Sequence, residues 1–236
     1  MKIKLTIPDS LADITLDQYQ RFAKVKGDEE FISHKMLEIF CNVQLQEVLY
    51  LPLVEIDNAI ESINNAFQSK TPLVNRVTLN GVKYGMIPNL HDMTFGEYTD
   101  IEENISDWDK MHNVMAVMFR PIHSEFKKLY SIKPYEGSHL TADEMKSMPL
   151  NVVFGAVNFM YRLGIDLSRA TLLSMEKEIK KSAISSPQKS SSLNDGDGTD
   201  HSTLLLRAIQ LGLMQFQNSI TDLPIHTFNT KLKSTS

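Results

Sequence analysis

The chain repeats one short pattern, and that repeat restricts the folds open to it more than any other feature. Residues 7–22 read Ile-Pro-Asp-Ser-Leu-Ala-Asp-Ile-Thr-Leu-Asp-Gln-Tyr-Gln-Arg-Phe, and residues 87–101 read Ile-Pro-Asn-Leu-His-Asp-Met-Thr-Phe-Gly-Glu-Tyr-Thr-Asp-Ile. After a one-residue gap, Asp13, Thr15, Leu16, Tyr19 and Phe22 match Asp92, Thr94, Phe95, Tyr98 and Ile101 at a constant offset of 79 positions. Met36 and Phe40 fall opposite Met115 and Phe119 at the same offset. Further on, the segment Leu51–Ile60 resembles Met148–Val157 at an offset of 97, which places an insertion in the second copy within Ile122–Lys146. Ile-Pro followed by Thr-x-x-x-Tyr is also generic capping vocabulary. The constant offset and shared order of elements favour one supersecondary unit used twice.

Physical chemistry accounts for each part of the unit. Alternating runs, Ile3–Ile7 and Val82–Ile87, predict strands, and the proline after each ends it by removing an N–H and restricting its neighbour. Thr15 and Thr94 are N-cap candidates whose hydroxyls can accept from first-turn N–H groups. Asp17 and Glu97 suit the positive end of the helix dipole. Leu16, Tyr19 and Phe22, and then Phe95, Tyr98 and Ile101, predict one buried face per helix. Pro52 and Pro149 fit the first turn of a later helix in each copy. Between the copies, Asn80-Gly81 flanked by alternating residues predicts a two-residue hairpin turn, which Ile3–Ile7 could join as a third strand.

The predicted fold is therefore α+β and predominantly helical. Two strand–helix–helix units, at about 1–70 and 82–166, surround a small antiparallel sheet with the Asn-Gly hairpin. A body over 1–181 ends in a helix spanning 166–181. Residues 182–203, rich in serine and glycine and nearly free of apolar side chains, predict a flexible linker. Residues 204–221 predict a tethered amphipathic helix with Leu206, Ile209, Leu213, Phe216 and Ile220 on one stripe, and 222–236 a polar tail. Such a helix either folds back on the body or docks on another chain.

Composition excludes several classes. With 24 basic and 29 acidic residues and no concentrated Lys/Arg run, the chain lacks the basic face that nucleic-acid binding needs. The N-terminal stretch has no apolar core of a signal peptide, and no window reaches the roughly 18 uninterrupted apolar residues of a membrane span. One cysteine, Cys41, rules out an internal disulfide and a multi-cysteine zinc site; its apolar neighbours predict a packed thiol. Twelve methionines are many for this length. Met111, Met115 and Met118 share a helical stripe that is either a loosely specified core or an adaptable binding surface.

No catalytic or cofactor motif stands in the sequence: no phosphate-binding loop, no dinucleotide fingerprint, no nucleophile elbow and no paired zinc histidines. The seven histidines are scattered, and none pairs at metal-binding spacing on a helix. Asp195–Asp200 fails as a calcium loop, because Asp200 stands where the loop needs glycine and Leu206 where it needs glutamate. The carboxylates Asp100, Glu102, Glu103, Asp107 and Asp109 share one helix end and its turn, not two walls of a cleft. They form a solvated patch or part of a partner-binding rim.

Taken together, Ile7-Pro8, Asp13–Phe22, Pro88–Tyr98 and Met118-Phe-Arg-Pro-Ile122 resemble uncharacterised small proteins of tailed phages that infect Bacteroidota, crAss-like phages included. The similarity spans roughly 1–165 and rests on short motifs. It implies a non-enzymatic virion component, ejected cargo protein or tail-assembly chaperone, encoded among virion and tail genes. Its partners would be other phage proteins, its setting the host cytoplasm during assembly or the virion, with no cofactor. The residues expected to carry partner binding are Met111, Met115, Met118, Leu206, Ile209, Leu213, Phe216 and Ile220. A small enzyme or host-directed inhibitor is the alternative, and it requires a pocket near His112, His123 or Arg120.

Overall fold

Both predicted threonine caps are in place. In the computed structural model, which describes residues 5–160 and 162, Thr15 starts α1 (Leu16–Ala23). Thr15 Oγ1 accepts from the Gln18 N–H at 3.3 Å, while Gln18 Oε1 accepts from the Thr15 N–H at 2.9 Å. This reciprocal capping box satisfies two donors that a bare helix end would leave unpaired. Thr94 and Glu97 repeat it at the start of α5 (Phe95–Asn104). The helix predicted over 166–181, the linker 182–203, the helix 204–221 and the tail 222–236 lie outside the described residues.

Three further helices follow α1. Asp28 caps α2 (Glu29–Phe40) through the Phe31 N–H at 2.9 Å. Asn42, just past its C-cap, adopts φ 52°, the left-handed stop that asparagine tolerates. One turn, α3 (Leu45–Val48), then leads through Pro52 into α4 (Leu53–Gln68).

The sheet has four antiparallel strands in chain order: β1 (Arg76–Leu79), β2 (Val82–Met86), β3 (Phe119–Phe126) and β4 (Leu129–Ile132). Leu79 pairs with Val82 across Asn80 (φ 48°) and Gly81 (φ 82°), the double positive φ of the predicted turn. The third and fourth strands differ from expectation. Residues 5–8 are irregular, with Leu5 and Ile7 packed against the core, and β4 and β3 from Ile122 onward come instead from the region expected as an insertion. β3 follows directly on α6 (Met111–Met118). It carries Pro121 in an inner strand, beside a register shift between Ile122 and Ser124 that leaves His123 as the extra residue.

The chain closes with α7 (Ala142–Met145) and α8 (150–160). The starts of α1 and α8 exchange backbone bonds: Leu16 N–H to Met148 O at 2.9 Å, and Leu150 N–H to Ile14 O at 2.8 Å. Thr15 and Pro149 form the bridge between them, so the first copy's cap also anchors the second copy's last helix. Around this junction Tyr19, Phe22, Phe40, Phe67, Trp108 and Phe154 form an aromatic core. Tyr19 lies 4.9 Å from the Trp108 ring centroid and 5.4 Å from that of Phe154.

The two copies bury different faces. Leu16, Tyr19 and Phe22 are fully buried as predicted. In α5 only Ile101 of the predicted three is buried; Phe95 is 69% exposed and Tyr98 partly exposed, while Glu97 is inside. Packing on α6 turns α5 onto a Glu97–Ile101–Ile105 stripe, a different set of the same helical period.

Candidate partner-binding surface

The methionine stripe is core. Met111, Met115 and Met118 are all buried, and so are Val114, Ala116 and Val117 on the other sides of α6. From Val114 to Met118 the helix is apolar on every side, as a segment inside a fold is, and α6 sits between α5 and α7. This corrects the expectation that these three side chains bind a partner. Leu206, Ile209, Leu213, Phe216 and Ile220 lie outside the described residues.

Exposed apolar surface gathers instead where α3 meets α4. Leu49 is 72% exposed, Tyr50 82%, Leu53 77% and Val54 69%. Their exposure follows from local geometry. Of the α3 turn only Val48 is buried, and Pro52 redirects the chain so that the first turn of α4 stands clear of the body. Six consecutive apolar residues, Leu49–Val54, were legible in the sequence, but such a run reads equally well as core.

This shoulder opens into a groove of about 770 Å³ between α2 and α4. Ile56 and Ile60 form part of its wall, with their inner sides against the core. Glu29 and Glu30 from α2 and Asp57 and Glu61 from α4 line it as well, and no lysine or arginine does. None of these four carboxylates is in an ion pair among the described residues. Asn64, 6% exposed, also lines the groove, and its Oδ1 has no hydrogen-bond partner among the described residues.

A second apolar feature is the β3–β4 hairpin tip. Phe126 and Leu129 are exposed there, flanking Lys127 and Lys128. Lys127 holds φ 56°, a conformation that costs an L-residue about 1–2 kcal/mol.

The densest buried polar cluster is structural in its bonding. Glu97 and Arg120 pair at 2.8 Å with 3% and 14% side-chain exposure. The other Glu97 oxygen accepts from the Thr94 N–H at 2.6 Å and the Thr94 hydroxyl at 2.8 Å. One carboxylate thus caps α5 and neutralises the arginine of β3. Nearby, Asp100 accepts from the Tyr135 hydroxyl and from Ser138 Oγ, the latter at 2.7 Å. The Tyr135 hydroxyl holds the Asp100 carboxyl below its ordinary range, and burial pushes the Tyr135 phenol up to about 12. The cluster fastens α5 to β3 and to the segment that follows β4. Sequence reasoning assigned Glu97 to the helix dipole alone; its pairing with Arg120 depends on the fold.

The remaining reactive groups are engaged in packing. Burial raises the Cys41 thiol to about 11, the setting of an inert core cysteine. His112 Nδ1 lies 3.2 Å from Gln20 Nε2, and burial, followed by Lys146, lowers its pKa. His123 is exposed at the β3 irregularity. Arg120, His112 and His123 line neither the α2–α4 groove nor the second cleft, of about 720 Å³, between Ser69–Leu73 and α8. Among the described residues, no three His, Cys, Asp or Glu side chains converge as metal ligands, and no helix is long and apolar enough to cross a membrane. Comparison with protein-family models, curated proteins and solved structures gave no match to this chain.

Proposed function

We propose that the chain acts by binding other proteins, as a structural or assembly component of a tailed phage. The observation that carries the binding role is the shoulder Leu49, Tyr50, Leu53 and Val54, gathered within six positions of sequence and exposed beside a groove. Leaving such side chains in water forgoes roughly 1.5–3 kcal/mol each relative to full burial, and clustered exposure of this kind marks interaction surfaces. The phage setting rests on the resemblance of residues 1–165 to virion and tail-region proteins. Within it the candidate roles are virion component, ejected cargo and tail-assembly chaperone, exercised in the host cytoplasm during assembly or in the virion.

Quantitative mass spectrometry of purified particles against infected-cell lysate tests the setting. A virion or cargo protein is enriched in particles; a chaperone stays in the lysate bound to phage chains. A chain found in neither particles nor complexes with phage proteins contradicts the proposal. Leu49→Ser with Leu53→Ser tests the surface. The double variant should fold as the wild type does and lose its association.

A further inference from the structure

Resting on that protein-binding reading, we infer that the α2–α4 groove receives a cationic amphipathic helix of a partner chain. Shape is the first argument. On α4 the lining positions are 53, 56, 57, 60, 61, 64, 65 and 68, the three- and four-residue steps of one unbroken helical face. That face runs the length of α4, whose 16 residues span roughly 24 Å. A trough of that length with an apolar wall suits a helix lying alongside, with anchors at i, i+3, i+4 and i+7.

Charge selects the occupant. Asp57 and Glu61 stand one turn apart on the same face of α4, and like charges at that spacing repel and destabilise a helix. Glu29 and Glu30 face them from the first turn of α2, where the helix dipole favours acids; Asp57 and Glu61 lie beyond the first turn of α4, where that compensation falls off. With no lysine or arginine in the lining, the groove repels anionic partners and favours a helix bearing Lys or Arg beside its apolar stripe.

The test uses the full chain and two synthetic helical peptides of about 14 residues, near the length that fills the groove. Both carry the same leucine stripe; one has lysines on its polar face and the other glutamates. In fluorescence anisotropy near 0.15 M salt, the lysine peptide should bind and the glutamate peptide should bind at least about tenfold more weakly. Asp57→Asn with Glu61→Gln, exposed neutral substitutions that keep the fold, should weaken the lysine peptide about fivefold or more and flatten its salt dependence. Amide shifts on titration should concentrate in 29–34 and 53–68. Equal affinity for both peptides, no effect of the double variant, or shifts elsewhere would overturn the inference. A chain that self-associates through the groove, and is dissociated by the lysine peptide, would overturn it in favour of a second copy. Failure here is distinguishable from failure of the binding reading. If the groove variants bind normally but Leu49→Ser with Leu53→Ser still abolishes particle association, only the cationic-helix inference falls.

Discussion

Helices α1 and α5 begin with the same device and end in different environments. Each has a threonine cap and a residue at the third position reaching back to the cap's N–H. In α1 that residue is Gln18, whose amide Nε2 also donates to Ile39 O at 2.8 Å inside the core. In α5 it is Glu97, whose charge requires Arg120. α1 sits at the centre, touching α2, the start of α8 and the Trp108 turn, and buries residues on several sides. α5 rests on α6 at the periphery and leaves Phe95 exposed. Local sequence set where each helix starts; its neighbours decided which face went inside.

The largest expected contrast is at that third position. Glu97→Ala should cost about 3–5 kcal/mol, because it strands a largely buried arginine as well as uncapping α5. Gln18→Ala should cost only about 1–3 kcal/mol, the penalty of a lost neutral hydrogen bond and an unsatisfied carbonyl. Urea unfolding of both variants measures the difference, and equal losses would mean that the Glu97–Arg120 pair is not the fastening of α5. Next in size is the start of each helix. Leu16→Ala should destabilise by about 2–5 kcal/mol, whereas Phe95→Ala at the matched, largely exposed position should cost well under half of that. Similar costs would restore the equivalence that the repeat suggested.

The caps themselves should behave alike. Thr15→Ala and Thr94→Ala should each cost about 1 kcal/mol in thermal or urea unfolding, the loss at Thr15 being the larger if its bridge to Pro149 is disturbed. A smaller contrast is electrostatic. Asp100, where the first copy has Arg21, has its carboxyl pKa lowered by the Tyr135 hydroxyl and Ser138. A folded pKa below the unfolded value of about 3.9 adds stability above that pH and loses it as pH falls through the folded value. Tyr135→Phe should therefore be most destabilising near neutrality, and its deficit should shrink as pH drops below about 4. A deficit that is constant with pH would show that the phenol acts through packing alone.

The parts of the fold legible in the sequence were those written in local chemistry. Asn80-Gly81 fixed a hairpin because both positions needed positive φ, and Thr15 and Thr94 marked helix starts because a hydroxyl can pair there. The β3–β4 hairpin was hidden. Pro121 argues against an inner strand, and its turn is Lys127-Lys128, with no glycine or asparagine to announce it. The Met111–Met118 stripe was left open between core and binding surface because periodicity identifies an apolar face without saying whether protein or solvent lies opposite, and it is core. The same ambiguity concealed Leu49–Val54, an apolar run that the path through Pro52 turns outward.

The claim that this shoulder is where the protein works can be tested directly by site-specific photocrosslinking in infected cells. A crosslinker at position 50 or 53 should join the full-length chain to a discrete phage-encoded protein. One at position 95, also exposed but at the edge of α5, should not. No adduct from 50 and 53, or the same adducts from 95, would contradict the assignment.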